Sequence, residues 1–244
     1  MSSQNRMRIL DIPIDRVSGA EATKIFRRLM DEEGCSLIVT PNSEIVVNAS
    51  KDSQLKTLIE GADLVIPDGI GLVYASKIMK NPLQERVTGI DFLTQVLVYL
   101  QETGKSIYLL GSKPGVAEKA AENMRMRYPA LKIAGTHDGY FQAEDEPALI
   151  EEINASGASF LCTALGSPKQ EKFIMKYREQ LKHVRAGMGV GGSLDVWAGT
   201  VKRAPAFYQK HGLEWLYRLI QQPSRAGRMA KLPVFMIKVL TFKK

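Results

Sequence analysis

The stretch SIYLLGSKPG, Ser106–Gly115, sets an almost continuously apolar run directly before a loop rich in glycine. Helical patterns such as Ala20–Glu33 and Glu44–Ala49 lie between further runs of this kind. Buried strands that alternate with helices are typical of a mainly parallel sheet covered on both faces. We therefore predict an α/β fold. The other apolar runs are Arg8–Ile14, Ser36–Thr40, Asp63–Ile66, Leu131–Ala134, Ser159–Ala164 and Val184–Met188.

The chain divides by charge near residue 200. Its 244 residues carry a net charge of +7 and are 45% apolar, enough for one sizeable core. We predict a core over residues 1–199 and a basic helical appendage over residues 200–244. A basic segment on a near-neutral body indicates a polyanionic partner: a membrane face, a lipid diphosphate or a nucleic acid. Against the single acid Glu214, the appendage holds Lys202, Arg203, Lys210, Arg218, Arg225, Arg228, Lys231, Lys238, Lys243 and Lys244.

The apolar residues of the appendage favour a membrane among these partners. Its apolar run Leu232–Ile237 is far shorter than the roughly 20 residues that a spanning helix needs, so the helix is expected to lie in the interface. The alternative is a surface helix that packs on its own body. Five apolar residues fall on one side of a helical wheel: Met229, Leu232, Met236, Val239 and Leu240. Four aromatic residues are expected to be exposed: Trp215, Tyr217, Phe235 and Phe242.

Cysteine usage and the N-terminus both indicate the cytoplasm. Cys35 and Cys162 each lie inside an apolar run, which is typical of buried thiols in a reducing compartment. The first residues, Met1–Arg6, lack the apolar segment of a secretion signal. We therefore expect a cytoplasmic protein that visits the inner face of the cell membrane.

Polar loops follow six of the predicted strands, and five of these loops contain glycine. Right-handed crossovers place all such loops along the carboxyl edge of a parallel sheet, where ligands bind. Each loop alone is explained as a helix N-cap or a tight turn. Six loops on one edge, however, predict a crevice for a phosphorylated ligand. The loops are Thr40–Glu44, Pro67–Gly71, Gly111–Gly115, His137–Phe141, Gly166–Glu171 and Gly189–Asp195.

Dinucleotide, P-loop and metal patterns are poorly supported. Gly187–Gly192 matches G-x-G-x-x-G, but it follows the last predicted strand, and no later strand delivers an acid to a ribose. Gly111–Gly115 lacks the Gly-Lys-Ser/Thr ending of a P-loop. No Asp-x-Asp occurs, and the histidines are dispersed, so we expect neither a metal nor a cofactor. The histidines are His137, His183 and His211.

A series of motifs runs in order from about Arg8 to the end of the chain. Its members are Thr40–Glu44, Pro67–Gly71, Arg86–Asp91, His137–Phe141, Leu165–Glu171, Gly189–Asp195, Arg203–Pro205 and Gly212–Leu219. This series resembles that of the bacterial WecG/TagA/CpsF glycosyltransferases, glycosyltransferase family 26. The resemblance implies a Rossmann-like core, no metal requirement, and a C-terminal appendage that approaches the membrane and completes the site.

The resemblance also implies an activity. It is an inverting transfer of N-acetylmannosamine from UDP-N-acetylmannosamine to undecaprenyl-diphosphate-linked N-acetylglucosamine, which makes the linkage unit of wall teichoic acid. Transfer from UDP-N-acetylmannosaminuronate or UDP-glucose, for another surface polysaccharide, is the alternative, since donor choice rests on few pocket side chains. The expected partners are these substrates and the cytoplasmic membrane leaflet, not nucleic acid. The oligomeric state stays open, with a homo-oligomer among the alternatives.

Asp68 is the expected catalytic base. Inversion needs one group that takes the proton of the acceptor hydroxyl while the anomeric carbon becomes oxocarbenium-like. Asp68 follows a strand end, and the adjacent Gly69 would let a substrate approach closely. The alternatives are that Asp68 is only a turn residue, or that Asp195, in a comparable loop, is the base.

The other expected site residues supply hydrogen bonds and positive charge. Arg86 would brace the base or a phosphate, with a surface salt bridge as the alternative. Thr40, Asn42 and Gln170 would orient the sugar, with helix capping as the alternative. The donor would meet Gly111, Tyr140, Gly191, Gly192 and Asp195, and its diphosphate or that of the lipid would meet Arg218, Arg225 and Arg228.

Two other classes of protein compete with a transferase. A nucleic-acid-binding module would suit a sequence pI near 9.3. The basic residues, however, lie on an amphipathic segment, and its apolar side would find no apolar surface to contact on the phosphate backbone of DNA. A membrane-associated NAD-dependent oxidoreductase is the second competitor, and it depends on the weak Gly187–Gly192 match.

Overall fold

A computed structural model of the chain describes residues 5–242, apart from the side chain of Arg225. The last two lysines of the appendage, Lys243 and Lys244, therefore lie outside the described residues. The chain opens with an antiparallel hairpin of β1 (Arg6–Ile9) and β2 (Ile12–Asp15). The single strand expected over Arg8–Ile14 is thus wrong. A turn at Leu10 and Asp11, both with positive φ, divides it in two.

The six remaining strands form one parallel sheet, as the sequence predicts, and the structure places them in the order β4-β3-β8-β7-β5-β6. Each strand is short, all except the edge strand β6 are largely apolar, and β3, β4, β7 and β8 are buried along their whole length. In the centre of the sheet, Cys162 lies opposite Leu109 on one side and Met188 on the other. The strands are β3 (Ser36–Val39), β4 (Leu64–Val65), β5 (Ser106–Gly111), β6 (Lys132–His137), β7 (Phe160–Ala164) and β8 (Ala186–Gly189).

Helices cover both faces of the sheet, and a separate hydrophobic core lies under each layer. One face carries α1 (Gly19–Leu29), α5 (Gly89–Thr103), α6 (Val116–Arg127) and α9 (Ser193–Trp197). The other face carries α2 (Ser43–Ala49), α3 (Ser53–Glu60), α4 (Ile70–Ile78), α7 (Glu146–Ala155) and α8 (Lys169–Tyr177), together with the hairpin. The Rossmann-like α/β prediction is confirmed.

The carboxylate of Asp15 joins the hairpin to the sheet. It is buried, and it accepts hydrogen bonds from the N–H of Val65 in β4 and from Nε of Arg6, both at 2.7 Å. A buried carboxylate that accepts hydrogen bonds from a cation and a backbone N–H is a satisfied polar group, so its burial does not leave an unpaired charge. The hairpin therefore closes the β4 side of the molecule.

The appendage is helical, and its last helix packs on the body. It contains α10 (Ala206–Lys210), α11 (Glu214–Gln221), a 3₁₀ turn (Pro223–Arg225), α12 (Ala226–Met229) and α13 (Lys231–Thr241). The last of these packs against α2 and α4, with Phe235 and Val239 buried in the core.

Burial corrects two expectations about the appendage. Phe235 is not exposed, since none of its surface is accessible. Most of the apolar side that was expected to meet a membrane instead faces the body, because Val239 is buried and Met236 packs on the core. For this side of the helix, packing on the chain's own body is the correct alternative. Leu240 of the predicted side remains exposed, and with Val234 and Ile237 it forms an apolar face that points outward.

Candidate active site

A cleft of about 270 Å³ opens at the carboxyl edge of the sheet, between the body and the appendage. Its walls come from the loops after β3, β4, β7 and β8, from the segment that leads into α5, and from α11 and α12. The lining residues include Thr40, Asn42, Asp68, Gly69, Arg86, Thr88, Ser167, Gln170, Gly191, Gly192, Glu214, Trp215, Arg218 and Arg228. Strand order explains this selection, because β4, β3, β8 and β7 are neighbours.

Asp68 lies in this cleft, in the loop between β4 and α4. Its Oδ1 accepts a hydrogen bond from the N–H of Gly89 at 3.1 Å, at the start of α5. Gly69 permits the approach of the neighbouring loop, since a Cβ there would lie 3.1 Å from Cβ of Asn42. Close packing against Asn42 is therefore a second reason for a glycine at position 69, and the sequence did not reveal it.

The pKa of Asp68 lies above its ordinary value. Burial is the main cause, because it penalises the charged form, and the negative charge of Glu214 adds to it. The Gly89 N–H and the positive charges of Arg218 and Arg86 oppose the shift. A carboxylate with a raised pKa is a stronger base than a free aspartate, as proton abstraction from a hydroxyl requires.

Arg86 is joined to the appendage. Its Nη2 contacts Oε2 of Glu214, and the two side chains are only 16% and 14% exposed. Arg203, also in the appendage, contacts Asp91 at 2.6 Å and lies 4.0 Å from Glu214. Arg86 therefore forms a largely buried ion pair within the cleft and not the surface salt bridge considered as the alternative.

Two predicted arginines of the appendage also reach the cleft. Arg218 lines it from α11 and Arg228 from α12. Arg228 lies 4.0 Å from Glu44 and is largely exposed. The side chain of Arg225 lies outside the described part of the chain, so its predicted role stays a prediction. The cleft thus receives basic side chains from both the body and the appendage.

Thr40 and Asn42 line the cleft but also support the fold. Thr40 donates from Oγ1 to the carbonyl of Gly189 at 3.2 Å, which ties the end of β3 to that of β8. Asn42 is the N-cap of α2 and accepts from the N–H of Ile45 at 3.0 Å. The cap occupies Oδ1, so Nδ2 is the donor that Asn42 can offer to a ligand.

Gln170 organises the glycine turn after β8. Its Oε1 accepts from the N–H of Gly191 at 3.2 Å, and its Nε2 donates to the buried Glu171 at 2.8 Å. Gly189 must lack a side chain, because a Cβ there would lie 2.2 Å from Nε2 of Gln170. Burial raises the pKa of Glu171. Gln170 therefore shapes the wall of the cleft that contains Gly191 and Gly192.

Three residues predicted to bind the donor lie outside this cleft. Gly111 ends β5, where a Cβ would collide with the backbone of Ala164 at 2.5 Å. Tyr140 is 69% exposed in the loop after β6, and Asp195 lies within α9. The predicted crevice of six loops is thus smaller than expected, because β5 and β6 lie at the far end of the sheet. The donor roles of these three residues stay predictions.

Glu214 and Thr88 are cleft residues that the sequence did not assign to the site. Thr88 caps α5, and its Oγ1 contacts Asp91. For Glu214 a signal existed, namely a single acid in an otherwise basic appendage.

Among the described residues, no group of three His, Cys, Asp or Glu side chains is placed to hold a metal ion. Metal independence stays a prediction.

The chain is similar to known glycosyltransferases over most of its length. The model of the glycosyl transferase WecG/TagA/CpsF family matches residues 7–244. An N-acetylglucosaminyldiphosphoundecaprenol N-acetyl-beta-D-mannosaminyltransferase of Bacillus spizizenii is 37% identical over 86% of this chain and 81% of its own. The protein of that name in Bacillus subtilis is 36% identical over 89% and 84%, and the one in Staphylococcus aureus is 33% identical over 100% and 95%. The chain belongs to the WecG/TagA/CpsF family of glycosyltransferases.

Proposed function

We propose that this protein transfers N-acetylmannosamine from UDP-N-acetylmannosamine to undecaprenyl-diphosphate-linked N-acetylglucosamine, the linkage step of wall teichoic acid. The names of the three relatives supply the acceptor and the transferred sugar. The observation that carries the proposal is that Asp68, a carboxylate of raised pKa, lies in a cleft that Arg86 and Arg218 also line. The family match weighs against the two competing classes, a nucleic-acid-binding module and an oxidoreductase.

The reaction is a single displacement with inversion. Asp68 takes the proton of the acceptor hydroxyl, and the hydroxyl oxygen forms a bond to the anomeric carbon of the donor. The bond between that carbon and the diphosphate oxygen breaks, and UDP leaves with the electron pair. The transition state resembles an oxocarbenium ion, so a base on the acceptor side and cations on the leaving-group side both lower the barrier.

The basic side chains of the cleft are suited to the departing diphosphate. Arg218 and Arg228 present guanidinium groups whose planar donors match phosphate oxygens. Both come from the appendage, so leaving-group stabilisation depends on its docking. We infer that the reaction needs neither a metal nor a cofactor, because these cations occupy the role that a divalent ion fills elsewhere.

The lipid-linked acceptor brings the protein to the inner face of the cell membrane. No helix within residues 5–242 is both long and apolar enough to cross a bilayer. Peripheral contact is supported by Ile237 and Leu240 of α13, which are 61% and 67% exposed. Tyr74 and Ile78 are also exposed, on α4, which packs against α13. Apolar side chains flanked by lysines suit a membrane interface.

The test is Asp68→Asn in an assay with a soluble, short-chain lipid-diphosphate acceptor. Loss of the base should lower kcat by roughly 10²–10⁴-fold. Binding of UDP, measured by calorimetry, should persist because the arginines remain. Near-normal turnover would exclude Asp68 as the base.

Two further assays test the metal and the donor. A chelator should leave the wild-type rate unchanged. A panel of UDP-sugars identifies the donor, with UDP-N-acetylmannosaminuronate and UDP-glucose as the alternatives.

A further inference from the structure

The only acid of the appendage lies between two arginines. Glu214 contacts Arg86 of the body, and its other carboxylate oxygen is 4.0 Å from Nε of Arg203. Arg203 in turn contacts Asp91 at 2.6 Å, while its buried Nε has no hydrogen-bond partner among the described residues. Two positive and two negative side chains thus form one row that crosses from the body to the appendage and back.

Within this row, the positive charge of Arg86 is paired with the carboxylate of Glu214. Arg86 and Asp68 line the same cleft, and the charge of Arg86 already influences the pKa of Asp68. A carboxylate that pairs with a nearby arginine has its pKa lowered by about one to three units. Such a pair would make Asp68 a weaker base. Because Arg86 contacts Glu214, its guanidinium is compensated by another carboxylate.

We propose that Glu214 is a positioning residue, which holds the guanidinium of Arg86 away from an ion pair with Asp68 and so preserves Asp68 as a base when the appendage is docked. The inference rests on the proposed function, since it assigns Glu214 to the same site. It also gives the appendage a role in proton abstraction besides its role with the diphosphate. The charges that face Asp68 are Arg86, Arg218 and Glu214.

The first measurement is the kinetics of Glu214→Gln, which keeps the shape of the side chain and removes its charge. Arg86 should then turn toward Asp68, and kcat should fall roughly tenfold, in the range of coupling between contacting residues. The dissociation constant of UDP should stay equal or decrease, because the cleft loses one negative charge. The matched control is Glu122→Gln, which removes an exposed partner of Lys119 on α6 and should leave kcat unchanged.

The pH profile separates this role from a merely structural one. The acidic limb of kcat/KM should move to lower pH in Glu214→Gln, and by more than the same substitution moves it in Arg86→Gln, where only the loss of the negative charge acts on Asp68. If Glu214 only anchors the appendage or acts on Asp68 only by its own charge, the two shifts are absent or equal. That result, or an unchanged kcat, overturns the proposal.

Hydrogen exchange of Glu214–Gln221 tests the contact without any turnover. Arg86→Gln and Glu214→Gln should each increase exchange of this helix, and the double variant should add little, because both remove the same interaction. Additive increases would show that the two residues act independently and would overturn the proposal. If exchange behaves as expected while Asp68→Asn keeps its turnover, the contact stands and the proposed chemistry fails.

Discussion

Asp68 combines a functional demand with a cost in stability. Burial raises its pKa, which means that folding disfavours the charged form. A group whose pKa is raised on folding stabilises the protein below its unfolded pKa, near 3.9 for aspartate, and loses that contribution as the pH rises through the folded value. Ionisation of the buried Asp68 therefore costs stability, and the proposed reaction gives a reason for the protein to keep this residue.

The corresponding prediction concerns Asp68→Asn and stability. The neutral amide retains an oxygen that can accept the Gly89 N–H, so the variant should melt a few degrees higher than the wild type at pH 7. The difference should shrink as the pH falls through the folded pKa of Asp68, because the wild-type carboxyl then becomes neutral as well. Thermal unfolding at pH 7 and at lower pH is the measurement. A variant that melts lower at pH 7 would show that Asp68 is stabilised as an anion.

At the level of a single element, α13 has two apolar faces, one buried and one exposed. Phe235 and Val239 face the body, where they are buried against the layer that contains α2 and α4. Ile237 and Leu240 face outward. Lys231 and Lys238 of the same helix donate to Asn48 and Ser50, at 2.9 and 3.1 Å, and so fix the rotation of α13 about its axis. The outward face is therefore a consequence of docking.

We expect the outward face of α13 to contribute to vesicle binding. The double variant Ile237→Asn with Leu240→Asn should reduce flotation with anionic vesicles severalfold, because apolar area in the interface drives such binding. Turnover on a soluble acceptor should hardly change. Met126→Gln, which replaces an exposed apolar residue on α6, is the control and should float like the wild type. Equal flotation of all three proteins would contradict a membrane role for this face.

At the scale of the whole molecule, one site is assembled from segments far apart in the chain. The loops of β3, β4, β7 and β8 supply the floor, and the appendage supplies one wall. Arg86 and Glu214, which are 128 positions apart, meet across this boundary. The appendage is thus a part of the cleft, and in the proposed function it is also the surface that meets the membrane.

Removal of the appendage should affect both roles at once. A chain that ends at Thr200 should lose vesicle binding and at least tenfold in turnover on a short-chain soluble acceptor, since Arg218 and Arg228 leave the cleft. The truncation also uncovers the apolar site of Phe235, so circular dichroism should first confirm a folded body. Full-length Arg218→Gln is the second variant and should lose turnover while it keeps vesicle binding. If truncation abolishes only vesicle binding, the appendage is an anchor and nothing more.

The local sequence determined much of this protein. Apolar runs such as Ser106–Leu110 and Ser159–Ala164 predict the strands of the parallel sheet, because buried strands must be apolar on both faces. Parallel order then places the loop ends on one edge, which brings Asp68, Thr40, Asn42 and Gln170 into one cleft. These properties are short-range or follow from chirality, so a single sequence contains them.

Tertiary structure decided what depends on long-range contacts. The hairpin turn at Leu10 and Asp11 has positive φ without glycine, so it gives no local signal. A helical wheel shows that α13 has apolar sides, but only its packing against α2 and α4 selects Phe235 as the inward residue. The contact of Arg86 with Glu214 likewise requires the docked appendage. The apolar pattern of the sequence indicates which residues prefer burial. A particular contact between distant segments, however, contributes energy only after the fold has brought those segments together.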